Sequence, residues 1–123
     1  MINKSTKIKR RTADRAKDER IYAQRSKEFY EAKKAVKQHR CIFCGEFVEI
    51  YAGVHHWLGR ENNLLLDEKW WSVVHQECHQ AWHDRPISWL SKQWWWSGFL
   101  VRAKDFHEDV LRIVERRIEK SKT

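Results

Sequence analysis

Cys41-Ile42-Phe43-Cys44, then His55-His56, then His75-Gln76-Glu77-Cys78-His79-Gln80-Ala81-Trp82-His83: these three clusters fall within about forty residues and carry the densest chemistry of the chain. Cysteine and histidine at such spacings supply the sulfur and nitrogen donors that soft and borderline metal ions take. Cys41-x-x-Cys44 presents two thiolates from one knuckle. His75 and Cys78, one helical turn apart, complete a tetrahedral set, with His39 and His79 as rival fourth ligands; His75 is preferred because its spacing to Cys78 mirrors that of the first pair. A closed set of this kind is structural, tying the expected hairpin to a helix across about thirty residues of chain.

A second constellation remains. His79 and His83 lie four positions apart, so on a helix their imidazoles stand one above the other as a ready bidentate pair. His55 and His56 are neighbours on an expected strand, where successive side chains point to opposite faces. One of them can be a third ligand, giving a three-histidine site with open positions. The other keeps an imidazole suited to general-base work near neutral pH.

Working outward, the spacing predicts a helix from about Thr12 to Arg40, where no helix breaker occurs and Ala, Lys, Arg, Glu and Gln dominate. Its apolar residues Ile21, Tyr22, Phe29, Tyr30 and Val36 are too sparse to bury a full face. The stretch from Cys41 to His56 reads as a hairpin, one strand through Phe47–Tyr51 and a second through Val54 and His55, with Gly53 in the turn. After a loop containing Gly59, Asn62 and Asn63, Trp71 to Asp84 reads as a helix stopped by Pro86. Ser88 to Trp95 reads as a short helix, and Val110, Ile113, Val114 and Ile118 mark a last amphipathic one. His107 reads as incidental within it. Seven tryptophans, Trp70, Trp71, Trp82, Trp89, Trp94, Trp95 and Trp96, read mainly as core, with base stacking the alternative for one or two of them.

The charge is uneven. Residues 1–40 hold fourteen Lys and Arg against five Asp and Glu, a surplus of nine, whereas residues 41–123 hold eleven against twelve. The net +8 therefore belongs to the N-terminal arm, where Lys7, Lys9, Arg10, Arg11 and Arg15 can neutralise phosphates and release counterions. A solvated tail is the competing reading. Three cysteines, two of them in a tight pair, point to metal ligation in a reducing compartment, and no signal-like or bilayer-length apolar run is present. The expectation is a cytoplasmic protein with no membrane partner and no organic cofactor.

The order and spacing of these motifs resemble the HNH endonucleases. The longer string Val54-His55-His56-Trp57-Leu58-Gly59-Arg60, then Leu64-Leu65-Leu66-Asp67, Trp71, and Cys78-His79 to His83, is similar to a subgroup of small bacteriophage HNH proteins, over roughly residues 41–100. The resemblance implies an α+β fold: a zinc-stapled ββα-metal core over 41–84, preceded by a basic, mostly helical arm over 1–40 and followed by a helical extension over 85–123. It implies structural Zn²⁺ on Cys41, Cys44, His75 and Cys78, with His75 standing where the family more often has cysteine. It makes His55, His79 and His83 the ligands of one catalytic divalent cation (Mg²⁺, Mn²⁺, Ni²⁺ or Zn²⁺), His56 the base that activates water, and DNA the substrate. Arg60 can clamp a phosphate, or stand as an ordinary exposed loop arginine. One position departs from the family: its middle asparagine lies nine residues before His79, and Trp70 stands there. A DNA-binding or recombination-accessory protein that kept the fold and lost efficient chemistry is the alternative that this departure raises.

Overall fold

The structure, a computed structural model, describes residues 2–59 and 65–122, with side chains from Asp14 onward. Helix α1 (Ile2–Ala35) leads into a knuckle over residues 41–45. Strand β1 (Val54–His56) and strand β2 (Trp71–Val73) then form a two-stranded antiparallel sheet, followed by α2 (Gln76–Asp84), α3 (Ile87–Leu90), α4 (Trp96–Phe106) and α5 (Glu108–Ser121). The fold is α+β and rich in helix. Among the described residues no helix is long and apolar enough to cross a membrane.

Several boundaries differ from the sequence expectation. Helix α1 stops at Ala35 rather than running to Arg40, because the chain turns through a Schellman closure. Gln38 N–H donates to Lys33 O (2.8 Å), Lys37 N–H donates to Lys34 O (3.1 Å), and Lys37 sits at φ 57°. The expected strand Phe47–Tyr51 does not form. Its backbone pairing, among the described residues, is an isolated bridge between Arg40 and Phe47 and a bond from Val48 N–H to His39 O (2.8 Å). Instead β1 pairs with Trp71–Val73, the stretch expected to open the helix, and α2 starts at Gln76. Three residues are too few to display a period of two, so their Trp-Ser-Val content, favourable to strand, went unread. The short helix expected over Ser88 to Trp95 is the four-residue α3, and a separate helix α4 follows it. His107 is not incidental: it closes α4 and caps α5, its Nδ1 accepting from Asp109 N–H at 3.0 Å.

Pairing of His55 with Ser72 and of His56 with Trp71 puts each pair on one face of the hairpin. One face meets α1, where Tyr22 approaches His56 (ring centroids 5.0 Å) and both Tyr22 and Phe29 stand edge-on to Trp71. The other meets α2. The second half of α1 is anchored further by Tyr30, buried with its hydroxyl donating to Val48 O, and by buried Ser26 on the Tyr51 hydroxyl.

Beneath α2 lies an aromatic core centred on Phe43, which is fully buried against the rings of His55, Trp57, Trp82, Trp95 and Phe99. Trp57, Trp70, Trp71, Trp82 and Trp95 are buried, so aromatic bulk supplies much of this small core. Trp94 is 72% exposed and Trp89 37%, which leaves these two as the candidates for stacking on a partner.

A lysine in the left-handed region pays a steric cost that glycine avoids, partly offset by the extra unfolded-state freedom of glycine. Lys37→Gly is therefore expected to stabilise the fold by about 0.5–1 kcal/mol. Urea denaturation should show a higher midpoint with an unchanged slope; a lower midpoint would contradict this closure.

Candidate metal centres

The knuckle is closed by backbone bonds before any ion is considered. Cys41 N–H donates to Glu46 O and Gly45 N–H to Cys41 O, both at 2.8 Å. Gly45 occupies φ 79°, and a Cβ there would lie 2.6 Å from Nη1 of Arg102, so glycine is needed for both conformation and space. That arginine reaches across from α4, donating from Nε to Ile42 O (2.8 Å) and from Nη2 to Phe43 O. A bond from Ile42 N–H to Val73 O (3.1 Å) fastens the knuckle to β2.

Directly after β2, His75 caps α2 and Cys78 lies in its first turn. Cys41, Cys44, His75 and Cys78 each offer one donor atom within 4.8 Å of the others, and they are placed to hold a metal ion. His75 shows how the set is oriented. Its Nε2–H donates to Phe47 O (3.0 Å), which leaves Nδ1 as the unprotonated nitrogen, 3.2 Å from Cys44 Sγ. Fixing the outer nitrogen in this way sets the tautomer and aims the lone pair at the cluster. His39, the rival ligand, is buried elsewhere, with its ring 4.7 Å from that of Phe47.

The thiols are electrostatically unequal. Cys41 is pulled down to about 4 by a hydrogen bond from the Cys78 thiol and by backbone N–H groups of Cys44, His75 and Phe43. Cys78 is pushed up, chiefly because its proton is held on Cys41, and burial pushes Cys44 up. The protein alone therefore stabilises one thiolate of three, and a cation is what allows the other two to ionise.

The three histidines of the second constellation also converge. His55 projects from β1 and meets His79 and His83 from α2, with ring centroids 5.0 and 5.4 Å away, while Nε2 of His83 and Nε2 of His79 are 3.1 Å apart. One nitrogen of each lies within 4.8 Å of the others. Burial is graded, from His55 at 5% exposure through half-buried His79 to exposed His83, so the trio is closed from the core side and open outward. Desolvation, then the charges of His79, His83 and His56, holds His55 well below the usual imidazole range; burial and His83 lower His79. Both stay neutral, the form in which an imidazole can coordinate a cation, to a lower pH than an ordinary histidine. Nδ1 of His55 is buried with no hydrogen-bond partner among the described residues. Two rings packed against His55, Trp57 edge-on at 4.3 Å and Phe43 at 5.9 Å, fix its position from the core side.

His56 lies outside this trio, on the opposite face of β1, half-buried beside Tyr22 and Trp71. Arg15 stands on α1, pairing with Glu19 at 3.3 Å. The backbone of Lys7, Lys9, Arg10 and Arg11 belongs to α1, but their side chains lie outside the described residues, as do Arg60, Asn62 and Asn63. Sequence reasoning missed Arg102 and Arg117. The first holds the knuckle carbonyls, and the second donates to the carbonyls of Trp82 and Arg85 at the end of α2. Nothing in a lone helical arginine marks it as a clamp on a segment 32 to 60 residues away.

No family model, no curated protein and no solved structure matches the chain, so its functional reading rests on the geometry of these residues.

Because Cys41 ionises far below neutrality while Cys44 and Cys78 are held as thiols, binding a thiophilic divalent ion such as Co²⁺ at pH 7 is expected to release about two protons. Its affinity should fall by about a hundred-fold per unit as pH is lowered. Calorimetry in buffers of different ionisation enthalpy measures the count, and release of no proton would contradict the assignment.

Proposed function

We propose that the chain is a metal-dependent DNA endonuclease of the HNH type, built on a ββα-metal core in which β1, β2 and α2 grip a catalytic cation. The observation that carries this reading is the meeting of one strand histidine, His55, with two helical ones, His79 and His83, beside a separate sulfur-rich cluster. Cys41, Cys44, His75 and Cys78 are read as a structural Zn²⁺ site, since four protein donors within 4.8 Å of one another suffice to fill a tetrahedral zinc and leave no position for substrate.

When bound to the three histidines, a divalent cation supplies positive charge to a phosphoryl oxygen and to the departing sugar oxygen. His55 sets the depth of the site, because it is buried and fixed by Phe43 and Trp57. His79 and His83 complete the grip from the solvent side. His56, one residue on from His55 and outside the trio, takes the proton from the attacking water. Arg60 is the candidate clamp on the scissile phosphate. The surplus of nine positive charges in residues 1–40 supplies sequence-independent affinity for DNA, falling steeply with salt. Neutral imidazoles favour Ni²⁺, Mn²⁺ or Zn²⁺ over Mg²⁺.

A second reading has its own support in Trp70, which stands where the resemblance places an asparagine. It is buried, its carbonyl accepts from Trp57 N–H (3.1 Å), and its ring packs on His107 at 4.7 Å, so the β1–β2 loop ends are held by backbone pairing and aromatic packing. On that reading the protein binds DNA as a recombination accessory without efficient cleavage.

Plasmid nicking under Mg²⁺, Mn²⁺ and Ni²⁺ separates the two. The endonuclease reading expects divalent-dependent nicking by wild type, lowered about 10²- to 10⁴-fold by His56→Ala and abolished by His83→Ala. An intact plasmid with every metal, from protein that binds DNA normally, would leave the accessory reading.

A further inference from the structure

Helix α2 ends abruptly, and its own backbone cannot finish it. Arg85, the C-cap residue, is extended (φ −97°, ψ 146°) and donates its N–H to Ala81 O at 2.8 Å. The next residue is Pro86, which has no N–H to offer. The remaining carbonyls of the last turn must look elsewhere for donors. Two of them find one guanidinium: Arg117 of α5 donates from Nη1 to Trp82 O and from Nη2 to Arg85 O, at 2.8 Å for the latter. The same group lies over the Trp82 ring, 4.2 Å from its centroid, so hydrogen bonding and a cation–π contact act together.

The two carbonyls bracket His83, the outermost member of the histidine trio. His83 is exposed and occupies the final turn, the part of a helix that frays first. Its partner His79, a turn earlier, is half-buried and lies next to Cys78, at the inner end of the helix. The inner end of α2 is thus secured by the Cys–His cluster and the outer end by Arg117.

We propose that Arg117 is the positioning residue for the cation site of α2, holding the last turn helical so that His83 stays opposite His55 and His79. The inference rests on the reading that these three histidines bind a divalent cation. It assigns to the C-terminal helix α5 a role in metal affinity, although α5 contributes no ligand. A positively charged side chain at this end also suits the partial negative charge of the helix terminus.

The test uses the full chain with the sulfur-rich site loaded with zinc, titrated calorimetrically with Ni²⁺. Arg117→Met keeps the apolar stem over Trp82 and removes the donors, whereas Arg117→Lys keeps the charge without the fork. The expected result is Ni²⁺ affinity weakened roughly ten-fold or more in Arg117→Met, and less in Arg117→Lys, with zinc content unchanged in both. Adding His83→Ala to Arg117→Met should cost little further, because the histidine is already released; a merely structural arginine would give additive losses. Ni²⁺ binding by zinc-loaded Arg117→Met as tight as wild type would overturn the inference, and so would additivity. If Arg117→Met fails to fold, Arg117→Lys decides by the same titration, wild-type affinity again overturning the proposal. If zinc-loaded wild type itself binds no Ni²⁺, the reading of the histidine trio falls, and this inference with it; if wild type binds and the variants match it, only the inference falls.

Discussion

Three sulfurs and an imidazole nitrogen gathered at the start of one short helix form the constraint on which the other contacts depend. Without a cation the group settles on a single thiolate at Cys41, with the proton of Cys78 shared toward it. A cation bound there would join the knuckle of residues 41–45 to α2. The residue carried between the two knuckle cysteines is Phe43, a fully buried ring packed against Trp82 and Phe99, so the joint is a joint to the hydrophobic interior as well. A chain of this length buries too little apolar surface to waste such a tie.

From that joint the second site follows geometrically. Fixing the first turn of α2 fixes the direction in which its next turns project, and His79 and His83 then face β1 where His55 emerges. β1 is held in turn by β2, and β2 by the bond from Ile42 N–H to Val73 O back to the knuckle. The loop closes on itself: knuckle, hairpin and helix each position the other two. The helices that follow act as a frame, with Arg102 gripping the knuckle and Arg117 the far end of α2. α1 covers the opposite face of the hairpin, so the same helix that carries the basic segment also stands beside His56.

The convergence of both groups of candidate donors was legible in the sequence because metal chemistry imposes short, discrete spacings. C-x-x-C, H-x-x-C and H-x-x-x-H encode a knuckle and one turn of helix whatever the surrounding fold does. The choice of His75 over His39 also follows from spacing, and the bond of His75 to Phe47 O agrees with it. The hairpin was misplaced for a different reason. Phe47–Tyr51 alternates as a strand should, yet finds little to pair with beyond Arg40, while Trp71–Val73 is too short to alternate visibly and is strand only because β1 lies beside it. Lys37 in the left-handed turn that closes α1 and His107 as the cap of α5 went unread for another reason, since neither is the residue type that ordinarily marks such a position. Arg102 and Arg117 were illegible because a guanidinium that seeks distant carbonyls leaves no periodic trace.

The most direct test of this account is anomalous diffraction from crystals of the zinc-containing protein soaked in Mn²⁺. Two separate peaks are predicted, a zinc peak among Cys41, Cys44, His75 and Cys78 with sulfur bonds of about 2.3 Å, and a manganese peak bonded to His55, His79 and His83. A map with zinc in place but the three imidazoles turned apart, with no manganese between them, would contradict the claim that one short helix serves two cations.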